Sequence, residues 1–307
     1  MGGRTARYRK CTKQRKFISF SSRLLAKSSH MLKRTITAVV ALALLSVVCI
    51  YSETIVFPIA FGLMALIGVY EMLGCIGMRR NFVVSACMYV TSVTAIVFTR
   101  TIKSDSLLIC AYAAMLFCVL VIMFALAVFS GGTTPIDKVC IAFVTCAYVI
   151  TGFMSIIMLR DLPHGKYIYL LAFAGPWVCD TFAYLCGRLF GKHKLIPEVS
   201  PKKTVEGSIG GTVFCVIACV IYHSTVKQAF DIKVGNILVF VFMGLVIAAV
   251  SQIGDLIMSL IKRRYGIKDF GFIFPGHGGV LDRFDSVIAT APLILIVCES
   301  LAKLGML

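Results

Sequence analysis

The sequence predicts an all-α fold: a polytopic integral membrane protein of about nine transmembrane helices with a cytoplasmic N-terminus. Three observations predict it. Only 15% of the 307 residues are charged and 59% are hydrophobic, against about 25% charged in a soluble domain, and the mean hydropathy is +0.92. Uncharged runs such as "LLICAYAAMLFCVLVIMFALAVF" reach 23 residues, where about 20 suffice for a helix to cross a bilayer while satisfying its own backbone hydrogen bonds. Lysine and arginine are also unevenly divided between alternate connecting segments.

The apolar runs fall at 36–52, 55–78, 82–99, 106–129, 139–159, 167–185, 207–222, 235–261 and 284–304. The first two are separated only by a short turn near Glu53 and Pro58, so that division is the weakest. The eighth run is long, and its last two turns are expected to leave the hydrocarbon. Three regions result: a basic cytoplasmic tail at 1–34, N-terminal transmembrane helices at 35–166 and a C-terminal transmembrane region at 167–307. No separate soluble domain and no internal repeat is visible.

Orientation follows from the cationic side chains, which concentrate on the cytoplasmic side of membranes. With the N-terminus inside, 24 of the 31 Lys and Arg lie on the inner side and 7 outside; without the tail the split is 13 to 7. Nine spans then put the C-terminus outside. The net charge of +17 is positive-inside bias and contact with anionic membrane lipids. Nucleic-acid binding would need a basic face with interleaved aromatics on a folded domain, and none is available. The expected location is the bacterial cytoplasmic membrane, with the site facing the cytoplasm. The tail resembles no cleaved secretory signal, although an organellar transit peptide would also be Arg-rich and acid-poor. Met31-Leu-Lys-Arg reads as an alternative natural start. Most of the 13 cysteines lie inside apolar runs, where Cys behaves as a small hydrophobe, and no zinc-type spacing occurs.

Only 14 acids are present, so their positions are informative. Glu53, Asp105, Asp137, Asp161 and Asp231 fall in short loops, and Glu299 near the outer end of the last run. Asp180, Asp255, Asp282 and Asp285 lie in the inner half of the membrane or at its cytoplasmic edge. An intramembrane carboxylate costs several kcal/mol without a partner and marks a functional site by default. Asp255 ends the eighth span while Asp282 and Asp285, on one helix face, open the antiparallel ninth, so the three return to one depth. Three anions there would repel unless a cation sat between them, and magnesium suits hard oxygen donors and substrate phosphates. The alternative is that each Asp pairs with Arg263, Arg264 or Arg283, or caps a helix.

Between them runs "KDFGFIFPGHGGVLDRFDS" (268–286). Gly271, Gly276, Gly278 and Gly279 let backbone amides turn inward into anion-holding nests, with Lys262, Arg263 and Lys268 adding positive charge. His277 is expected to donate to phosphate or fix the loop rather than to hold a metal. A second basic loop carries Arg188, Lys192, Lys194, Lys202 and Lys203, and Ser200-Pro201 reads as a turn or helix start. Charge alone leaves phosphate binding and simple positive-inside bias equally open. Gly207 and Gly211 form a small-xxx-small pair suited to close helix packing, within one chain or between two copies, so a homodimer stays open.

The segment Ser259-Leu-Ile-Lys-Arg, four residues, Lys268-Asp269, Gly271, Pro275, His277-Gly-Gly and Leu281-Asp-Arg-Phe-Asp285 resembles the signature of the phosphatidate cytidylyltransferases, or CDP-diacylglycerol synthases, with no departure over 27 positions. "DTFAYLCGRLFGKHKLIPEVSPKKTVEG" and "SQIGDL" are similar to two further motifs of that family. The resemblance implies transfer of the cytidylyl group of CTP to phosphatidic acid, with magnesium and a second, monovalent cation such as potassium. It implies that Asp255 and Asp282 hold metal, that Asp285 supports them and that Asp180 is a further ligand or a helix-packing partner. Lys268 and Arg283 would be catalytic. Arg188, Lys202 and Lys203 would contact CTP phosphates, Lys262, Arg263, Lys268 and Arg283 the lipid phosphate or pyrophosphate, and Ser200, His277, Gly278 and Gly279 would complete the substrate-binding set. Another CTP-dependent lipid kinase would share metal and nucleotide but not the signature. An ion-coupled transporter would use intramembrane acids, but shows as paired repeats with broken helices, which are not apparent.

Overall fold

The computed structural model describes residues 35–230, 236–276 and 278–303; the basic tail at 1–34, Asp231 and His277 lie outside them. Among the described residues nine helices follow in the order the hydropathy predicts. They are α1 (Thr35–Ile50), α2 (Val56–Ile76), α3 (Phe82–Thr101), α4 (Asp105–Phe129), α5 (Ile136–Asp161), α6 (Gly165–Phe190), α7 (Val205–Phe230), α8 (Ile237–Arg264) and α9 (Leu281–Lys303). Eight are long and apolar enough to cross a membrane, and α1 is shorter within the described residues.

Local chemistry sets the helix boundaries. α2 stops where Gly77 turns left-handed at φ 78°, a conformation that costs glycine little. Asn81 opens α3 by accepting a hydrogen bond from the Val84 amide (3.2 Å), and Asn236 opens α8 through the Leu238 amide (3.1 Å), as N-cap side chains do. The last turn of α8 carries Lys262, Arg263 and Arg264, cations that suit the negative end of the helix dipole.

The all-α expectation needs one addition. The second basic loop folds into an antiparallel pair of short strands, β1 (Lys194–Ile196) and β2 (Ser200–Thr204), with Lys194 opposite Thr204 and Ile196 opposite Ser200. Ser200-Pro201 therefore begins a strand, and the start of α7 comes later. Thr204 caps α7, its Oγ1 accepting from the Gly207 amide at 3.1 Å. Glu206 ties the hairpin base to α7 through the His193 amide (3.2 Å) and His193 Nδ1 (2.7 Å).

α6, α7, α8 and α9 pack in series, α9 lies on α5, and α5 on α2. A chain of rings fills the centre: Phe57 on Phe61 (4.7 Å between centroids), Phe153 on Phe284 (5.6 Å) and Phe173 on Phe284 (6.3 Å). Small residues let the backbones approach, the usual device where lipid offers no hydrophobic drive. A Cβ at Gly211 would lie 2.7 Å from the Cys179 carbonyl, and one at Gly207 would lie 2.5 Å from the Ala183 carbonyl, so the small-residue pair does serve packing of α7 on α6. At Gly254 a Cβ would run into Ala289 and reach 3.1 Å from the Asp285 carbonyl; this contact draws the ends of α8 and α9 together. The C-terminal ends of α2, α6 and α8 and the N-terminal ends of α7 and α9 meet at one end of the bundle, where Thr37 of α1 also donates to the Pro275 carbonyl at 3.3 Å.

Candidate active site

A cavity of about 970 Å³ opens at this end of the bundle, within the range typical of small-molecule sites. One wall is apolar and comes largely from α1, through Ala38, Ala41, Leu42, Leu45 and Val48. The opposite wall is polar. Asp180 and Arg188 reach it from α6, Lys202 and Lys203 from β2, Asp255 from α8, and Asp282, Arg283 and Asp285 from α9. Four acids distributed over more than a hundred residues of sequence thus line one space.

Each carboxylate has a distinct set of partners. Asp255 pairs with Lys203, Oδ2 to Nζ 2.5 Å, and the Lys203 ammonium also donates to the Gln252 carbonyl at 3.4 Å. Gln252 is itself held between α7 and α8: its Oε1 accepts from Ser208 Oγ at 2.5 Å, and its Nε2 donates to Thr212 Oγ1 at 3.2 Å. Asp180 accepts from Ser286 Oγ at 3.0 Å, joining α6 to α9, and Asp285 accepts from the Ser286 amide at 2.9 Å.

Asp282 differs from the other three. Its side chain is 2% exposed. Oδ1 pairs with Lys262 Nζ at 2.9 Å, while Oδ2 accepts from the Phe270 and Gly279 amides at 2.8 and 2.9 Å. Three hydrogen bonds from the chain thus hold this carboxylate, two on Oδ2 and one on Oδ1, so the Asp282 side chain also clamps its own loop. The nearby amide nest also holds internal anions. Gly278 stands at φ 90°, where an added Cβ would lie 2.6 Å from Asp282 Oδ2. Gly278 and Gly279 are buried and lie outside the cavity lining, and a Phe274–Gly278 bridge (2.9 and 3.1 Å) closes the loop.

The remaining expected residues divide. Arg188, Lys202, Lys203 and Arg283 reach the cavity. Lys262 faces Asp282 and lies 5.3 Å over the Phe270 ring. Arg263 and Lys268 are exposed and, like Ser200, lie outside the cavity lining. His277 lies outside the described residues.

One residue escaped the sequence reading altogether. Glu71, 3% exposed on α2, accepts from the Val280 and Leu281 amides at 3.0 Å each. The signal was available: a lone carboxylate inside the apolar run of α2 meets the same intramembrane criterion that picks out Asp180 and Asp255.

Hard oxygen donors facing one cavity are the ligand chemistry magnesium takes, usually as one or two carboxylates completed by substrate phosphates. Among the described residues no group of three His, Cys, Asp or Glu side chains is placed to hold a metal ion by itself. The carboxylates of Asp180, Asp255 and Asp285 are donors of the kind that substrate phosphates complete around magnesium.

The fold and the cavity first define a class: an integral membrane protein whose intramembrane carboxylates and cations converge beside an apolar wall. The family is defined by sequence. The sequence model of the cytidylyltransferase family matches residues 32–301. A phosphatidate cytidylyltransferase of Staphylococcus haemolyticus is 33% identical over 266 residues, covering 86% of this chain and 97% of that protein. One from Staphylococcus epidermidis is 34% identical over 264 residues, with the same coverage. One from Staphylococcus aureus is 43% identical over 151 residues, 49% of this chain and 55% of that protein. The chain belongs to the cytidylyltransferase family.

Proposed function

We propose that this protein transfers the cytidylyl group of CTP to phosphatidic acid, giving CDP-diacylglycerol and pyrophosphate. The observation that carries the reading is the cavity itself: lysines, arginines and carboxylates on one wall, the apolar side chains of α1 on the other. A nucleotide needs the first and the acyl chains of a lipid need the second. Family membership and the names of the relatives support the same reaction.

A phosphate oxygen of phosphatidic acid attacks the α-phosphorus of CTP; the bond to the bridging oxygen breaks and pyrophosphate leaves with its electron pair. The nucleophile is already ionised near neutral pH, so no strong general base is required. Positioning and charge neutralisation do the work. Arg188, Lys202 and Lys203 receive the polyphosphate, Lys as point charges and Arg as a bidentate fork. Arg283 faces the lipid phosphate. Asp255 and Asp285, with Asp180 beside them, are the residues that would hold magnesium, which when bound neutralises phosphate charge and favours an in-line geometry. Lys203 and Asp255 balance each other's charge. Asp282 keeps Lys262 and the glycine loop in place below the site. The second, monovalent cation rests on the resemblance alone.

The basic residues at this end of the bundle support a site facing the cytoplasm of a bacterial cell, in the cytoplasmic membrane. α4, exposed along Leu107, Phe117 and Phe129, offers its surface to lipid or to a second copy in a homodimer. The test is purified protein in detergent with CTP, phosphatidic acid and magnesium. Pyrophosphate release that requires both substrates is expected. Release of CDP with no pyrophosphate would identify a lipid kinase instead.

A further inference from the structure

The N-terminus of α9 presents Asp282, Arg283 and Asp285 to the cavity, yet the residue at its N-cap position carries no acceptor side chain. Val280 supplies the first helical acceptor, its carbonyl taking the Arg283 and Phe284 amides at 3.0 and 3.1 Å. It occupies the position where Ser, Thr, Asp or Asn is preferred, because an apolar side chain leaves the first amides without acceptors. The missing acceptor comes from another helix. Glu71 of α2, about two hundred residues earlier, takes the Val280 and Leu281 amides on its two oxygens at 3.0 Å each. The contact is built from both sides. A Cβ at either Gly271 or Gly279 would fall on the Glu71 carboxylate, so the two glycines leave the space that this side chain fills.

We propose that Glu71 is a positioning residue for cytidylyl transfer: its carboxylate fixes the first turn of α9 and thereby the placement of Arg283 and Asp285 against the substrates. The proposal rests on the functional reading above. Glu71 does not line the cavity, so it acts through the α9 backbone. Glu71 takes the Val280 and Leu281 amides while Asp282 takes the Gly279 amide just before them, so two carboxylates share this helix start. A misplaced first turn would lower the rate of the chemical step more than it would weaken substrate binding, since a small displacement of charge-stabilising groups falls mainly on the transition state.

The experiment uses the full chain purified in detergent, with turnover measured per folded, monodisperse enzyme. Variants are Glu71→Gln, Glu71→Ala, Gly279→Ala and the double variant Glu71→Ala/Gly279→Ala. Loss of hydrogen bonds to a charged group predicts a kcat reduced about 10- to 100-fold in Glu71→Gln, with KM for CTP and for phosphatidic acid within about twofold of wild type. Gly279→Ala alone sets a methyl group on the carboxylate and lowers kcat comparably. With the carboxylate removed the methyl group has room, so Gly279→Ala adds less than about threefold in the Glu71→Ala background, the non-additivity of side chains in contact. A role confined to stability would lower the melting temperature and the yield of folded protein while leaving turnover per folded enzyme unchanged, and would overturn the proposal. So would a raised KM with kcat retained, or equal effects of Gly279→Ala in both backgrounds. If Glu71→Ala does not fold, Glu71→Gln decides the question. A wild-type enzyme that forms no CDP-diacylglycerol sinks the functional reading itself; variants that match an active wild type sink only the role of Glu71.

Discussion

Replacing Asp282 by Asn separates a clamp from a metal ligand. Asp282 and Lys262 are 2.9 Å apart with side chains 2% and 15% exposed, so solvent screens the pair little. Asn keeps one oxygen for the Phe270 or Gly279 amide but leaves the Lys262 ammonium buried without a counter-charge. Breaking one partner of a buried pair costs about 3–5 kcal/mol, and about 2–4 °C of melting temperature accompanies each kcal/mol in a large domain. Asp282→Asn is therefore expected to melt about 10 °C below wild type in the same detergent. The double variant Asp282→Asn/Lys262→Met, which removes the stranded ammonium, should recover a large part of that loss, because replacing both members of a buried pair is far cheaper than orphaning one. Scanning fluorimetry or circular dichroism reads both. If Asp282→Asn melts within about 2 °C of wild type while activity disappears, the carboxylate serves a bound ion or substrate and the clamp reading fails.

Three further outcomes follow from the same geometry. Asp255→Asn should reduce turnover per folded enzyme by more than about 100-fold, because Asp255 lines the cavity as one of the carboxylates that would hold magnesium; turnover near wild type at saturating magnesium would refute this. Gly254→Leu forces α8 from α9 where an added Cβ meets Ala289 and the Asp285 carbonyl, so overpacking of about 1–3 kcal/mol and a loss of activity that extra magnesium does not repair are expected. Removing divalent cation with EDTA should abolish product formation reversibly, with magnesium restoring it; full activity in EDTA would exclude a magnesium site at these carboxylates.

Much of this architecture is legible before any coordinates, because transmembrane helices announce themselves by length and apolarity alone. The nine runs appear as nine helices among the described residues, and the scarcity of acids singles out Asp180, Asp255, Asp282 and Asp285, which line one cavity. Pairing is less legible. The partner of Asp255 is Lys203, on a different element, and the partners of Glu71 are backbone amides on another helix; sequence spacing carries no trace of either. The glycine loop shows a general limit of the same kind. Inward-turned amides can be inferred from Gly278 and Gly279, but spacing does not say which anion this loop holds: the Gly279 amide goes to Asp282, and the next two amides, of Val280 and Leu281, go to Glu71. The hairpin escaped because its strands are short, largely exposed and interrupted by Pro201, so neither alternation nor hydropathy marks them.

The most direct test follows the two ends of the nucleotide. With CTP labelled separately at the α- and γ-phosphates, incubated with phosphatidic acid and the purified protein, the α-label should enter the lipid extract while the γ-label appears as pyrophosphate in equal amount. Transfer of the γ-label to lipid, or an α-label that stays in the aqueous phase, would contradict cytidylyl transfer.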